Sequence, residues 1–201
     1  MTGMSTVTTG DGAQPKPVLL MDVDGVVNRL FVGADEILDE GLVPHDAIAD
    51  DGRSYRLHVD PDLPAWLSSL RSLYEFVWCT TWRNANEAIS PILGLPQDLR
   101  QVPLPRHFTD VPLNLHRKTG PVRRWAAENG IRRLAWIDDE FIGDADAEAL
   151  LDDWSDAVMH SKWQRDFIET PPLDDVLLLR CKPSLGITPS HIDLLHEWAR
   201  R

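Results

Sequence analysis

The sequence has few cysteines, no long apolar run and fewer basic than acidic residues. Each of these shortages argues against a class of site or protein. Its two cysteines, Cys79 and Cys181, lie in apolar runs without a CxxC or Cys/His cluster, which argues against a zinc site. No stretch approaches the ~20 apolar residues that a membrane-spanning helix needs. The N-terminal residues lack a basic region followed by an apolar run, so no signal peptide is expected. We therefore expect a cytoplasmic protein that does not enter a membrane.

The charge balance argues against one class of partner. The 201 residues include 32 acidic and 20 basic side chains, which gives a formal net charge of −12. Such a field repels phosphate backbones and argues against a dedicated nucleic-acid scaffold, although a local basic patch remains compatible with it. Hydrophobic residues make up 43% of the chain, enough for one domain with a sizeable core.

Four short apolar runs predict strands that are buried on both faces of a parallel sheet. They are VLLMDV (18–23), FVWCT (76–80), RRLAWID (132–138) and VLLLRC (176–181). Helices are expected between and after them, at about 60–73, 84–93, 118–129, 144–154 and 188–201. We expect Asp60 and Thr188 to cap the first and last of these helices, and Gly130 to follow the third. This alternation predicts an α/β fold, a Rossmann-like three-layer sandwich.

We expect a single domain that spans 17–201. The segments outside the predicted strands and helices are expected to form a tail, a flap and a loop. Residues 1–16 are rich in Thr, Gly and Ser, which predicts a disordered tail. Residues 29–58 are divided by glycine and proline, and their last part, SYRLHV (54–59), alternates as a half-buried strand does. This region is too short for a separate cap domain, so we expect a hairpin-like flap. The segment 94–117, rich in Pro and His, is expected to be a loop.

Polar residues gather where three of the predicted strands end. In open parallel sheets, ligands bind beyond the carboxyl ends of the strands. Asp22 and Asp24 are two residues apart, so on a strand both point to the same side. Such carboxylates repel each other unless a cation joins them, and their hard oxygen ligands suit Mg²⁺. The other candidates near strand ends or at a helix start are Thr80, Thr81, Asp138, Asp139 and Lys118.

Together these groups can support phosphoryl transfer through an aspartyl-phosphate. A bound metal would neutralise phosphate charge and let an anionic carboxylate approach phosphorus. Thr80 could donate a hydrogen bond to one phosphoryl oxygen, and Lys118 could pair with another. Gly25 permits backbone amides to come close to the same phosphate.

Four segments, in order, resemble the motifs of the haloacid dehalogenase (HAD) superfamily. VLLMDVDGVVN is similar to its first motif, VWCT to the second, Lys118 to the basic third motif and AWIDD to the paired acids of the fourth. The resemblance implies that Asp22 is the nucleophile and a metal ligand. It implies that Asp24 is the general acid and base with its backbone carbonyl on Mg²⁺, and that Asp138 or Asp139 completes the metal site.

A narrower resemblance concerns the TTW at 80–82, the short flap and the LGIT at 185–188. These features are similar to small members related to the phosphatase domain of RNA-repair proteins. Members without a full cap leave the site open, which suits bulky substrates such as nucleic-acid ends.

Several assignments stay open on the residues alone. Strand register favours Thr80 over Thr81 as the phosphate ligand, and Arg117 is an alternative to Lys118. Asp144 could orient the lysine or the metal, or could simply begin a helix. Trp82 is a candidate platform for substrate. Two other sites fit poorly: a calcium loop starting at Asp22 would need an oxygen ligand and a glycine where the chain has Val26 and Val27, and phosphoryl-receiver folds place their acid pair before the phosphorylated Asp.

The expected function is Mg²⁺-dependent hydrolysis of a phosphomonoester, whose substrate is a small molecule or a nucleic-acid end. Two alternatives are a small-nucleotide phosphatase or phosphotransferase and a non-catalytic binding module on the same fold. The presence of both Asp22 and Asp24 weighs against the binding module, because binding alone has no chemical need for the pair.

Overall fold

The computed structural model describes residues 15–39, 41–106, 117–141, 168–170 and 173–201. Five parallel strands form the main sheet in the order β5-β4-β1-β6-β7, and β2 and β3 form a separate antiparallel hairpin. The strands are β1 (Val18–Met21), β2 (Val43–Ile48), β3 (Ser54–Val59), β4 (Glu75–Trp78), β5 (Arg100–Gln101), β6 (Arg133–Asp138) and β7 (Asp175–Arg180). The helices are α1 (Ala34–Asp39), α2 (Leu63–Leu70), α3 (Ala85–Ala88), α4 (Thr119–Glu128) and α5 (Pro189–Ala199).

Two apolar clusters cover opposite faces of the sheet, as the period-two geometry of a strand requires. Leu19 and Met21 of β1 join one cluster, to which α2 and α5 also contribute. Val18 and Leu20 join the other, which α4 covers through Val122, Trp125 and Ala126. The predicted three-layer α/β sandwich is therefore confirmed. Among the described helices, none is long and apolar enough to span a membrane.

The four predicted core strands are all present, within two residues of their expected bounds. Sequence reasoning missed β5, a two-residue strand at the sheet edge inside the segment predicted to be a loop. It also missed α1, a six-residue helix within the region expected to be a flap. Both are too short to carry a periodic apolar pattern.

The hairpin expected in the flap is present, since β2 pairs with β3 from Val43 opposite Val59 to Ile48 opposite Ser54. The strand predicted at 54–59 has those bounds. The helix predicted at 144–154 lies outside the described residues, as does all but the end of the tail predicted at 1–16.

Two predicted helix starts and ends need correction. Asp60 does not cap α2, which begins at Leu63: the Asp60 carboxylate instead accepts a hydrogen bond from the Asp62 amide at 2.9 Å, which closes a turn before the helix. The helix predicted over 84–93 is shorter: α3 stops at Ala88 and turns follow up to Gly94 (φ +63°), because Pro91 has no backbone amide to continue the helix.

The other helix boundaries agree better with the sequence. Helix α4 is followed by Gly130 in a left-handed conformation (φ +62°), as predicted. Thr188 does precede α5, and its amide donates to His191 Nδ1 at 3.0 Å, although the helix ends at Ala199 instead of Arg201.

Candidate active site

The carboxyl ends of three adjacent strands form the floor of the site. β1 lies between β4 and β6, and Met21 at its end is in register with Trp78 on one side and Ile137 on the other. The residues that follow these positions therefore emerge at the same edge of the sheet. This arrangement brings Asp22 beside Asp138.

Lys118 forms ion pairs with both Asp22 and Asp138. Its side chain is fully buried, and the ammonium donates hydrogen bonds to Asp22 Oδ2 and, at 2.8 Å, to Asp138 Oδ2. Helix α4 begins at the next residue, so the helix start delivers the lysine to the strand ends. The neighbouring Arg117 is partly exposed and pairs with Glu140 (Nε to Oε2 2.6 Å). Lys118 is thus the basic residue in contact with Asp22.

Three carboxylates in this region could hold a metal ion. Oxygens of Asp22, Asp138 and Asp139 lie within 4.8 Å of one another. The Lys118 ammonium offsets one of their charges, which leaves two formal negative charges in a set of oxygen ligands. Such a set suits a hard divalent cation like Mg²⁺. The side chain of Asp24 is hydrogen-bonded elsewhere, and its predicted metal contact involves only the backbone carbonyl.

Burial dominates the ionisation of this cluster. It raises the pKa of Asp22 to about 6, with Lys118 opposing the rise and Asp138 adding to it. Burial and the charges of Asp138 and Asp22 raise the pKa of Asp139 to about 7. Burial by itself would lower the pKa of Lys118, but the carboxylates of Asp22 and Asp138 outweigh it and raise that pKa above the usual lysine value. A cation entering this site would compete with protons near neutral pH.

A tight turn after Asp22 brings Gly25 close to the carboxylate of Asp139. The Val23 carbonyl accepts hydrogen bonds from the amides of Val27 and Asn28, both at 2.9 Å. Gly25 sits in this turn with φ +72°, and a Cβ placed there would lie 2.3 Å from the carboxylate of Asp139. Glycine is therefore required for both the turn and the close approach of Asp139.

Asp24 is held by two side chains. Its Oδ1 accepts a hydrogen bond from the Asn28 amide at 2.8 Å, and its Oδ2 accepts one from the Trp82 indole N–H at 2.9 Å. The sequence analysis assigned no role to Asn28. No periodic signal in the sequence marks it, because Asp24 and Asn28 meet across a non-helical turn.

The two threonines after β4 differ in exposure. Thr80 is buried, and its hydroxyl oxygen accepts a hydrogen bond from the Trp82 amide at 3.3 Å. Thr81 is exposed to a groove. Gln101, which the sequence analysis also missed, donates to the backbone carbonyls of Trp82 (2.8 Å) and Thr80 (3.3 Å). It escaped notice because it belongs to the two-residue strand β5.

A groove of about 630 Å³ opens beside these residues, between the tip of the hairpin and the segment after β5. Its polar lining residues are Asp50, Asp51, Thr80, Thr81, Arg83, Gln101 and Arg106. A smaller cavity of about 230 Å³ continues toward Asp24, Tyr55 and Trp82. Asp144, a further candidate from the sequence, lies outside the described residues.

Comparisons with known proteins identify a family and a structural relative. A family model described as the HAD domain in Swiss Army Knife RNA repair proteins matches residues 18–192. Among solved structures, a protein from Streptomyces avermitilis MA-4680 described as a HAD family hydrolase is 20% identical, with a TM-score of 0.35. The match covers 64% of this chain and 62% of that protein, so the chain spans less than two thirds of its length. No curated protein matches the chain.

Proposed function

Because the chain belongs to the family of HAD domains found in Swiss Army Knife RNA repair proteins, we propose that it is a magnesium-dependent phosphatase. In this proposal a phosphomonoester transfers its phosphoryl group to Asp22, and water then releases it as inorganic phosphate. Family membership supports a hydrolase of the HAD type. The metal, the covalent intermediate and the substrate are inferred from the residues of the site.

The observation that carries the proposal is the joining of Asp22 and Asp138 by the buried Lys118, with Asp139 beside them. A carboxylate that attacks phosphorus must not be repelled by the phosphoryl oxygens, and the positive charge nearby reduces that repulsion. The lysine also fixes the position of Asp22 Oδ2, while the Val23 amide donates to Oδ1 at 2.7 Å. The nucleophile is therefore oriented before substrate arrives.

In the first step, a carboxylate oxygen of Asp22 forms a bond to phosphorus as the bond from phosphorus to the ester oxygen breaks. The departing oxygen needs a proton, and Asp24, in its protonated form, donates it. In the second step, Asp24 accepts a proton from water while the water oxygen attacks phosphorus. The bond from phosphorus to Asp22 breaks, which regenerates the carboxylate and leaves Asp24 protonated for the next cycle.

The chain's own residues fit a magnesium ion at the edge of the sheet. Asp22, Asp138 and Asp139 would hold it, and their all-oxygen, net negative set suits that ion. When bound, the ion supplies charge neutralisation for the phosphoryl oxygens. Lys118 contacts both Asp22 and Asp138 and would hold them in place beside the ion.

The substrate we favour is a phosphomonoester with a large leaving group, such as a nucleic-acid end. The groove beside Thr81 is open and about 630 Å³ in volume, which can admit a group larger than a small alcohol. Arg83 and Arg106 line it and could contact further phosphates, although Arg83 also lies 4.0 Å from Asp50. Asp50 and Asp51 line the same groove, so its charged side chains are two basic and two acidic residues.

The proposal is tested by measuring phosphate release from the purified chain with Mg²⁺. The substrates are p-nitrophenyl phosphate, nucleotides, sugar phosphates and oligonucleotides with a 5′- or 3′-phosphate. We expect release that is greatest on one of the oligonucleotides. Preference for nucleotides would favour the small-substrate alternative, and no release from any compound would favour a binding module.

The control for this screen is Asp22→Asn, which is nearly isosteric but a poor nucleophile. It should fold normally and release no phosphate above background. Turnover retained at a substantial fraction of the wild-type rate would contradict Asp22 as the nucleophile.

A further inference from the structure

The indole of Trp82 is mostly buried and points its polar edge at Asp24. The residue is 6% exposed, and its Nε1–H donates a hydrogen bond to Asp24 Oδ2 at 2.9 Å. The Asn28 amide reaches the other oxygen of the same carboxylate at 2.8 Å. One donor is thus placed on each oxygen, and the two fix the plane of the carboxyl group.

Trp82 is itself held on several sides. Gln101 donates to its backbone carbonyl at 2.8 Å, and its own amide donates to the Thr80 hydroxyl oxygen at 3.3 Å. The ring of Tyr55, on β3, contacts the indole edge to face, with centroids 5.3 Å apart and planes at 63°. These hydrogen bonds fix the backbone of Trp82, and the contact with Tyr55 on the hairpin restrains the indole ring itself.

Asn28, the second donor, is anchored to the same hairpin. Its side-chain oxygen accepts a hydrogen bond from the His58 amide at 2.9 Å. The next residue, Arg29, donates its backbone amide to the His58 carbonyl, also at 2.9 Å. Strand β3 thus supports both groups that hold Asp24: Tyr55 packs on Trp82, and the His58 backbone orients Asn28.

We propose that Trp82 is a positioning residue for the acid–base group Asp24, an inference that rests on the proposed phosphatase activity. General acid catalysis requires the donor within hydrogen-bond reach of the departing oxygen, and a small misplacement of a reacting group can cost about 10²-fold. The indole N–H and the Asn28 amide provide that placement. This role differs from the substrate platform suggested by the sequence, because the indole edge serves Asp24 and little of the ring is exposed.

The test compares wild type with Trp82→Phe, which keeps an aromatic ring but removes the N–H donor. The measurement is kcat/KM for a series of phosphomonoesters whose leaving groups range from p-nitrophenol to simple alcohols. Proton donation matters most when the leaving group is poor. We expect a loss of about 10- to 100-fold on alkyl phosphates and less than about 3-fold on p-nitrophenyl phosphate, with KM changed less than about 2-fold.

Two further variants separate positioning from a general structural effect. Trp198→Phe is the matched control, since Trp198 is 5% exposed and packs in α5 against Tyr74. It should leave the dependence on the leaving group unchanged. Asn28→Ala removes the other donor and should steepen that dependence as Trp82→Phe does, which keeps the test valid if one of the two variants folds poorly.

A readout without catalysis checks the contact itself. In ¹⁵N-labelled protein, the Trp82 indole N–H resonance, assigned by its absence from Trp82→Phe, should move upfield in Asp24→Ala, while the Trp198 indole resonance stays in place. An unmoved Trp82 resonance would overturn the proposal.

The kinetic outcomes distinguish this proposal from the function on which it rests. An equal loss on every substrate, or a raised KM with an unchanged leaving-group dependence, would overturn the positioning role while leaving the phosphatase assignment intact. An absence of phosphate release by the wild type would overturn both.

Discussion

Lys118 and Asp138 are both fully buried, and the lysine ammonium donates a hydrogen bond to the aspartate carboxylate at 2.8 Å. The same ammonium contacts Asp22. A buried ion pair contributes little net stability by itself, but removing one partner leaves an uncompensated charge in the interior. The stability of the protein therefore depends on Lys118, the same residue that holds Asp22 and Asp138 together in the site.

We predict that Lys118→Met lowers the free energy of unfolding by about 3–5 kcal/mol at about pH 8, because Asp22 and Asp138 would lose their buried counter-charge. Urea denaturation measures this loss. The matched control is Arg132→Met, which breaks an exposed pair with Asp174 (2.6 Å) and should cost about 0–1 kcal/mol. Equal costs for the two variants would contradict a buried, charge-compensating role for Lys118.

Asp24→Asn should reduce kcat by about 10²- to 10⁴-fold, because an amide cannot exchange the proton that the leaving oxygen needs. Magnesium affinity, measured by isothermal titration calorimetry, should stay close to wild type, since the Asp24 side chain lies outside the acidic cluster. Asp98→Asn, on an exposed loop, is the control and should change neither quantity. A defect that excess Mg²⁺ fully corrects would show that the acid–base role is wrong.

Gly25→Ala should weaken magnesium binding by on the order of 10-fold, because the added Cβ would lie 2.3 Å from the carboxylate of Asp139 and displace it. Gly94→Ala is a close control. Gly94 has a similar φ of +63°, but nothing lies within 4 Å of its added Cβ. Both variants should lose about 1–2 kcal/mol of stability from the left-handed backbone, so a shared loss of metal affinity would contradict the steric argument.

Activity should require Mg²⁺, persist in part with Mn²⁺ or Co²⁺, and be inhibited by Ca²⁺. Calcium accepts about six to eight oxygens and can take both oxygens of Asp22, which would spoil the line of attack on phosphorus. Initial rates with each metal, after treatment with a chelator, measure this. Full activity in excess chelator would refute the metal-dependent mechanism.

The effect of magnesium on thermal stability should grow with pH. The raised pKa values of Asp22 (about 6) and Asp139 (about 7) mean that the metal-free folded state binds more protons than the unfolded chain. Stability from these groups is therefore present below about pH 4 and is lost as the pH rises through about 7. Magnesium binds the deprotonated forms, so it should raise Tm more at about pH 8 than at about pH 5. An equal rise at both pH values would contradict this linkage.

Much of the fold could be predicted because its strands are short apolar runs that end in polar residues. Asp22 and Asp138 follow from where β1 and β6 end, and Lys118 from where α4 begins. Choosing between Lys118 and Arg117 required the structure. The two residues are adjacent at a helix start, and only the helix rotation decides which one is buried.

The support of Asp24 could not be predicted from local patterns. Trp82 lies 58 residues away in sequence and follows a different strand, so its bond to Asp24 depends on β1 and β4 being neighbours in parallel register. Gln101 depends on β5, whose two residues carry no periodic signal. Pairings between distant segments arise from tertiary packing, which single-sequence patterns do not encode.

Because β1 lies in the middle of the sheet, changes in the residues at the strand ends and changes in the residues that line the groove have different consequences. Asp22 follows β1 and Asp138 ends β6, and each of these strands has a parallel neighbour on both sides, so the sheet fixes the positions of the two residues. The groove is walled by the hairpin tip and by the segment after β5, which are connections that tolerate insertion and exchange. In the proposed phosphatase, substrate preference can thus change while the reaction stays the same. The exception is the hairpin surface around Tyr55 and His58, where a change made for a new substrate would also disturb the setting of Asp24.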